Sequence, residues 1–391
     1  NVLFQIYPLS RAWGKKRMGQ MLKKQVLFVI HDLHLGGAEK VLVNLVNHMD
    51  RSKFDVTVLA LFGGGVNEPF LNPDIRLIVG HKRPFPGNSR VMKLFSPERL
   101  FRYYIKGRYD AIVSYLEGPS ARIVSGCPRD GTKLVSWVHC TMESQETIGV
   151  GFRSFQEART CYGKFHIGVF VSQEVRTAFC RWIPMRDTEV LYNTVDSDEI
   201  LKDAAEPVED KSTPNGEIKL IGVGKVVPNK GFDRLARIHK RLREEDGLPV
   251  HTYILGEGFQ RKGLEAWAAE NGLSDTFTFL GYQTNPYKYV AACDLFVCAS
   301  HAEGFSTAVT EALIVGTPVV TTEVSGMREM LGENEYGVIT ENSEEALYQG
   351  VKEMLTAPER LSHYKEKARE RGRRFSTGQT VRAVEEMLDK L

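Results

Sequence analysis

Two glutamates separated by seven residues are the most specific chemical signal in the sequence. Glu303 and Glu311 bracket residues 304–310, a segment that passes from a loop into a helical pattern. The backbone N–H groups that open a helix form a ready site for anions, so the amides of residues 305–307 are expected to bind a diphosphate without a metal. Glu311 is expected about two turns into the helix, within reach of a ligand bound at its start. The alternative is a capped surface helix with two solvated acids.

A glycine and lysine loop precedes this segment along the chain. Gly224, Lys225 and Lys230 follow the apolar run 218–222 and precede a helical pattern. When a group is transferred away from a diphosphate, negative charge develops on the departing phosphates, and fixed cations in a water-poor cleft stabilise it. We therefore expect both lysines to face the phosphate site. Taken alone, the loop is also consistent with a plain strand-to-helix turn.

The first half of the chain offers further candidates. Gly36 and Gly37 follow the opening apolar run and precede a helical pattern, so their amides are expected to point at an anion. The alternative is a tight turn that needs glycine only for its backbone conformation. Glu117 lies just past an apolar run and is expected to line the cleft, whereas a lone histidine at the end of a strand, such as His139, is more often structural.

The segment between the two glutamates resembles the paired-glutamate motif of retaining GT-B glycosyltransferases, in particular the large family four. The resemblance covers nearly the whole second half of the chain. It implies that Glu311 accepts hydrogen bonds from the ribose hydroxyls and that Glu303 lies beside the donor sugar. The family usually has arginine at the position of Lys225, and this departure keeps the charge but loses a two-pronged hydrogen-bonding group. The flanking strings that also match are Ala299-Ser300, Ala312-Leu313 and Gly316-Thr317-Pro318-Val319-Val320.

The residues and the resemblance together imply one donor site and a smaller reacting centre. The resemblance places His139 near the reacting sugar and Tyr282 near the nucleotide base. No metal ligand is predicted, and no cofactor besides the nucleotide-sugar substrate. The catalytic candidates are His139, Lys225, Lys230 and Glu303. The candidates for donor binding are Gly36, Gly37, Gly224, Lys225, Lys230, Gly256, Gly281, Tyr282, Glu303, Gly304, Phe305, Ser306, Thr307 and Glu311.

The resemblance implies transfer of a sugar from a nucleotide diphosphate donor, expected to be a UDP-sugar, to the hydroxyl of an acceptor. It favours same-face attack, in which the leaving phosphate helps to deprotonate the acceptor, over double displacement through a carboxylate nucleophile. The alternatives are a nucleotide-sugar epimerase and a non-catalytic nucleotide-sugar-binding protein of the same fold. A phosphorylase of the glycogen type is disfavoured because the chain is short for one.

Short apolar runs alternate with helical patterns along the chain, which is typical of parallel, doubly wound sheets. Because 391 residues exceed the usual size of one domain, we predict an α/β GT-B fold: two Rossmann-like domains that face each other across a cleft. The polar stretch 196–217 predicts the hinge. The predicted limits are an extension over residues 1–20, an acceptor domain over 21–200 with a returning helix over 377–391, and a donor domain over 201–376.

The amino-acid composition limits the classes of partner that the chain is expected to bind. The net charge of +2 does not indicate nucleic acid, and 42% hydrophobic with 26% charged residues is typical of a globular protein. Six cysteines without a CxxC pair indicate reduced, buried thiols, and no apolar run suits a transmembrane helix or a signal peptide. We therefore expect a cytoplasmic location. Residues 2–5 resemble part of a viral protease site, so the first residues are expected to come partly from an expression tag.

Residues 81–108, which we name the basic segment, combine eight cations and five aromatic residues with the single carboxylate Glu98. Basic residues near an anionic leaflet and aromatic residues at its interface favour peripheral binding. We expect this segment to touch the inner face of the plasma membrane, where a lipid-linked or surface-polysaccharide glycan is the acceptor. The alternative is an ordinary solvated pair of helices. The cations are Lys82, Arg83, Arg90, Lys93, Arg99, Arg102, Lys106 and Arg108.

Overall fold

Two parallel β-sheets form the centre of the computed structural model, which describes residues 23–34, 36–208 and 216–391. The predicted extension over residues 1–20 lies outside the described residues. The elements of the first half are β1 (Lys24–Ile30), α1 (Gly37–His48), β2 (Phe54–Phe62), β3 (Arg76–His81), α2 (Asn88–Lys93), α3 (Pro97–Tyr104), β4 (Ala111–Ser114), α4 (Pro119–Val124), β5 (Lys133–Val138), α5 (Gln145–Gly149), α6 (Phe155–Tyr162), β6 (Ile167–Phe170), α7 (Gln173–Trp182), β7 (Thr188–Val190) and α8 (Ser197–Ala204).

The second half repeats the pattern of strand and helix. Its elements are β8 (Ile218–Val223), α9 (Phe232–Glu244), β9 (Val250–Leu255), α10 (Arg261–Glu270), β10 (Phe277–Gly281), α11 (Tyr287–Ala291), β11 (Leu295–Cys298), α12 (Thr307–Val315), β12 (Val319–Thr322), α13 (Met327–Leu331), β13 (Val338–Thr340), α14 (Glu344–Thr356), α15 (Pro358–Gly372) and α16 (Thr377–Lys390).

Strand order explains where a ligand can bind. The first sheet runs β3-β2-β1-β4-β5-β6-β7 and the second runs β10-β9-β8-β11-β12-β13, all parallel. In such sheets the order reverses beside the first strand, and ligands bind outside the carboxyl ends at that point. The reversal lies between β1 and β4 in one domain and between β8 and β11 in the other. The loops after β1, β8 and β11, which carry Gly37, the two lysines and Glu303, therefore leave the sheets at the two reversal points. The loops of His139, Gly256 and Tyr282 follow neighbouring strands of the same sheets.

The last helix returns to the first domain, as expected. Helix α16 packs along α1, and Thr377 at its start is tied to the first domain. The Thr377 hydroxyl accepts a hydrogen bond from the Ser197 amide and donates one to the Val195 carbonyl, both at 2.9 Å. The stretch that predicted a hinge is not entirely irregular, because residues 197–204 form α8. This helix packs against α11 and α12 of the second domain.

The expectation of buried thiols is only partly correct. Cys161, Cys293 and Cys298 are buried, but Cys127 and Cys180 are partly exposed and Cys140 is exposed. Cys140 lies in the loop just past the end of β5, so its loop position overrides the apolar run before it. In the part of the chain that the structure describes, no helix has the length and apolar character needed to cross a bilayer.

A buried histidine in the second domain predicts a pH-dependent loss of stability. His239 lies 2.8 Å from the Thr252 hydroxyl and 3.0 Å from the Thr276 hydroxyl, and burial lowers the pKa of His239 to about 3. As the pH falls from about 6.5 toward 3, His239 takes up a proton in the unfolded chain but not in the folded chain. The free energy of unfolding therefore decreases over this pH range.

Between pH 7.5 and 5.5, we expect the free energy of unfolding to fall by about 1 kcal/mol more in the wild type than in His239→Asn. Urea denaturation of both proteins at the two pH values measures the difference. Because His139 and every other titrating group are present in both proteins, their contributions cancel. Equal losses would mean that His239 is protonated in the fold.

Candidate active site

The loop after β11 and the start of α12 present the paired carboxylates at the reversal point of the second sheet. Ser306 caps α12, because its hydroxyl accepts a hydrogen bond from the Val309 amide at 3.4 Å. The Ser306 hydroxyl is therefore used in capping the helix, so an anion at the start of α12 is expected to bind to the backbone amides. Glu311 is the fifth residue of α12, so it lies little more than one turn into the helix, not two as expected.

Glu303 and Lys230 form a direct ion pair, although they lie 73 positions apart in the chain. The ammonium of Lys230 lies 2.5 Å from Oε1 of Glu303, and the hydroxyl of Ser300 donates to the same oxygen at 2.6 Å. Gly231 permits this approach, because its φ of 64° favours glycine and a β-carbon there would overlap the Ala299 carbonyl. The structure thus brings together the lysine loop and the first glutamate.

Behind this pair lies a support that the sequence did not reveal. Arg234 on α9 is almost fully buried and donates to the carbonyls of Ala299 and Ser300 at 2.6 and 2.7 Å. The Thr322 hydroxyl donates to the same Ser300 carbonyl at 2.6 Å. These bonds fix the loop that holds Glu303. An arginine in a helical pattern is usually a surface residue, so only its burial identifies the role.

The first domain presents a second helix N-terminus to the same cleft. A β-carbon at Gly37, the first residue of α1, would lie 3.9 Å from the hydroxyl of Thr307, the first residue of α12. Helix N-termini carry partial positive charge, so their meeting favours an anion between them. Lys225 is exposed at this edge and interacts electrostatically with Glu39, whose pKa is raised chiefly by burial.

His139 lies where the two domains touch. A β-carbon at Gly304 would be only 2.6 Å from the His139 carbonyl oxygen, so the loops are in direct contact. Burial lowers the pKa of His139 to about 3, and its buried Nε2 has no hydrogen-bond partner among the described residues. The ring is therefore neutral at ordinary pH and presents an unused polar atom. Glu117 accepts hydrogen bonds from the amides of His139 and Cys140, so it orients this loop.

The second glutamate is held by two residues that the sequence analysis missed. The Tyr287 hydroxyl donates to Oε1 of Glu311 at 3.2 Å, and the Lys40 ammonium donates to that hydroxyl at 2.8 Å. Lys40 belongs to α1 and lies 3.9 Å from Glu311 across the domain boundary. Burial raises the pKa of Glu311, while Lys40 and Tyr287 lower it. No pattern in the sequence links these positions, which are brought together only by the packing of three helices.

Removing the tyrosine hydroxyl is expected to weaken donor binding more than catalysis. In Tyr287→Phe, one oxygen of Glu311 loses its donor, and the carboxylate is freer to turn away from the ribose that it is predicted to bind. We expect the KM for the donor to rise about tenfold, with kcat changed by less than about threefold, since a hydrogen bond to a charged group contributes about 1.5–3 kcal/mol. Tyr289→Phe on the same helix is the matched control. A fall in kcat alone would contradict this role.

The remaining candidates follow the same edge of the second sheet. Gly256 directly follows β9, and its amide donates to the Gly281 carbonyl at 2.8 Å. Gly281 needs a φ of 69°, and Tyr282 beyond it is 68% exposed. Gly224 has a φ of 155° and lies against the aliphatic chain of Lys230. Within residues 23–34, 36–208 and 216–391, no group of three or more acidic, histidine or cysteine side chains is arranged to hold a metal ion.

Comparisons with known proteins identify the family and the fold of the chain. The family model described as Glycosyltransferase Family 4 matches residues 35–199, and the model described as Glycosyl transferases group 1 matches residues 205–371. Anabaena Alr3699/HepE in complex with UDP superposes with a TM-score of 0.75 at 19% identity, covering 95% of this chain and 100% of that one. WaaG, a glycosyltransferase involved in lipopolysaccharide biosynthesis, superposes with a TM-score of 0.70 at 17% identity, covering 93% and 99%. At these identities the likeness shows the fold alone.

Two curated relatives add sequence similarity. The N-acetylgalactosamine-N,N'-diacetylbacillosaminyl-diphospho-undecaprenol 4-alpha-N-acetylgalactosaminyltransferase of Campylobacter jejuni is 34% identical over 49% of this chain and 51% of that enzyme, about half of its length. The lipopolysaccharide core biosynthesis glycosyltransferase LpsD of Rhizobium meliloti is 25% identical over 74% of this chain and 76% of its own. With one family model on each domain, in order, the chain belongs to the glycosyltransferases of family 4 and group 1, and its two domains form a GT-B fold.

Proposed function

We propose that this chain transfers a sugar from a UDP-sugar to an acceptor hydroxyl with retention of the anomeric configuration. The observation that carries the proposal is the meeting of two helix N-termini, at Gly37 and Thr307, in the cleft that also holds the ion pair of Lys230 and Glu303. These groups supply positive potential where a diphosphate leaves. On this proposal they offset the developing charge themselves, and no metal is needed.

The hydrogen bonds of Glu303 support same-face attack. Its Oε1 accepts from both Lys230 and Ser300, which reduces the electron density available for attack on a sugar carbon. In the proposed mechanism Glu303 orients the donor, the leaving phosphate accepts the proton of the acceptor hydroxyl, and the new bond forms on the face from which the nucleotide departs. His139, neutral and with Nε2 unused, is proposed to contact the donor sugar.

Two relatives and one surface support a lipid-linked or surface-polysaccharide acceptor. The name of the Campylobacter enzyme places its acceptor on undecaprenol diphosphate, and LpsD is named for the lipopolysaccharide core. In the basic segment, the one carboxylate, Glu98, lies 3.2 Å from Lys164, and among the described residues none of the segment's cations forms an ion pair with a carboxylate. Each cation near an anionic leaflet contributes about 1 kcal/mol to binding. We propose that this segment meets the inner face of the plasma membrane.

Donor hydrolysis tests the proposed activity. The purified chain is incubated in EDTA with UDP-, GDP- and ADP-sugars, and the released nucleotide is measured. We expect slow release from a UDP-sugar, abolished in Glu311→Ala and retained in Glu270→Ala, which removes an exposed glutamate of α10. The anomer of the sugar first released reports retention or inversion.

Three results would reject the proposal in different ways. The absence of both nucleotide release and nucleotide binding across the whole panel would exclude a nucleotide-sugar enzyme. Binding without release, even with a lipid-linked acceptor, would favour the non-catalytic alternative. Conversion of the donor into its epimer without loss of nucleotide would favour the epimerase alternative.

A further inference from the structure

An apolar cavity of about 490 Å³ opens on the first domain between the end of β3 and helices α2 and α3. Four of the side chains that line it, Phe85, Val91, Phe95 and Tyr103, are between 39% and 60% exposed. Single exposed apolar residues are normal on a protein surface, but a group of them around one cavity marks a binding site. None of the residues described above in the catalytic cleft lines this cavity.

The cavity lies on the edge of the sheet that faces the cleft. A row of rings leads to it along the carboxyl ends of neighbouring strands: His31 follows β1, Phe62 ends β2 and His81 ends β3. The ring centroids are 5.0 Å apart for His31 and Phe62, 5.6 Å for Phe62 and His81, and 5.9 Å for His81 and Tyr103. A molecule in the cavity therefore lies beside the domain's ligand-binding edge.

The lining suits a hydrocarbon better than a sugar. His81 Nε2 lies 3.0 Å from the Tyr104 hydroxyl, so two of the few polar groups already bond to each other. Among the described residues that line the cavity, Arg99 is the one arginine or lysine. A sugar would leave many hydroxyls without partners here, whereas an apolar chain needs none. The volume falls within the usual range for small-molecule sites, about 300–1,000 Å³.

The wall of the cavity is anchored to the domain. Arg122 is 1% exposed and donates to the carbonyls of Met92 and Phe95 at 2.9 and 2.7 Å. Glu157 holds the guanidinium at 2.9 Å. These bonds fix the turn between α2 and α3, so the cavity is a built feature of the fold. Arg99, one of the cations of the basic segment, is part of the lining and complements a phosphate.

We propose that this cavity binds the apolar chain of a phosphate-linked lipid acceptor, with the lipid phosphate beside Arg99. The inference rests on the proposed function, because it assigns the part of the acceptor that does not react. An acceptor held by its chain on this edge keeps its glycan close to the cleft without withdrawing the whole molecule from the bilayer.

The test measures binding of farnesyl phosphate to the full chain by calorimetry, below the concentration at which the probe forms micelles. Val91→Asp puts a charge into the cavity and Val91→Trp fills it. Leu94→Asp is the matched control, because Leu94 is 76% exposed in the same segment but does not line the cavity. Both positions are exposed, so all three variants are expected to fold, and thermal unfolding checks this.

We expect one equivalent of farnesyl phosphate to bind, with affinity reduced about tenfold or more by both Val91 substitutions and unchanged in Leu94→Asp. Farnesol is expected to bind more weakly than farnesyl phosphate, and Arg99→Gln to reduce that difference. Inorganic phosphate alone is expected not to compete.

Three outcomes would overturn the inference. Equal losses in Val91→Asp and Leu94→Asp, or association only with anionic vesicles, would indicate insertion into a membrane surface. A dimer in sedimentation that Val91→Asp dissociates would indicate that a second copy of the chain covers the cavity. The calorimetry uses no nucleotide. If farnesyl phosphate does not bind but donor hydrolysis is observed, the lipid-binding role of the cavity is rejected and the proposed transferase activity is unaffected.

Discussion

Replacing Lys230 by methionine is expected to lower the kcat of sugar transfer by about 10²- to 10³-fold, the usual effect of removing one preorganised group that stabilises developing charge. Methionine keeps the length and apolar volume of the side chain, so the loop after β8 keeps its packing. Single-turnover measurements with saturating donor separate this loss from donor binding. Lys240→Met on α9 is the matched control, because its ammonium pairs with Asn271 outside the cleft.

A double-mutant cycle separates two roles of Lys230. If the ammonium only holds Glu303 in place, adding Lys230→Met to Glu303→Gln should cost nothing more. If it also contacts the leaving phosphate, the double variant should be slower than Glu303→Gln by about tenfold or more. If the kcat of Lys230→Met stayed within about threefold of the wild-type value, Lys230 would have no role in the chemical step.

Gly304→Ala is expected to lower kcat/KM by about 10²-fold through the contact between the domains, because a displacement of about 1 Å near the reacting atoms costs that much. The added methyl would lie 2.6 Å from the His139 carbonyl oxygen, and backbone cannot move aside as a flexible side chain does. Either the glutamate loop shifts or the cleft opens. Small-angle scattering distinguishes the two.

Gly263→Ala is the matched control for this substitution. A β-carbon at Gly263 meets no atom within 4 Å, and the residue lies inside α10. It should keep full activity and gain up to about 1 kcal/mol of stability, since alanine is the better helix former. Wild-type kcat/KM in Gly304→Ala would show that the domains need not touch at His139 during the reaction.

Most of the fold could be predicted from the sequence, because strands that are buried on both faces appear in it as short apolar runs. Twelve apolar runs predict strands, and each forms a strand within about two residues of its predicted ends: 25–30, 54–61, 75–79, 111–115, 133–139, 167–172, 218–222, 250–255, 276–280, 295–298, 318–321 and 337–339. The missed strand β7 has three residues, of which only Val190 is apolar, and it lies at the sheet edge, where burial imposes little pattern. Helix α8 was missed because its charged surface residues resemble those of a linker.

The sequence by itself determined the alternation that produces two parallel sheets and the two motifs that carry the family resemblance, the lysine loop and the segment from Glu303 to Glu311. These are local properties, since each depends on residues a few positions apart. The tertiary structure alone decided that Lys40 meets Tyr287 from 247 residues away, that Arg234 is buried behind the glutamate loop, and that an apolar cavity opens in the basic segment. Such contacts depend on how helices pack across a domain or between domains, and no periodicity within one segment encodes that packing.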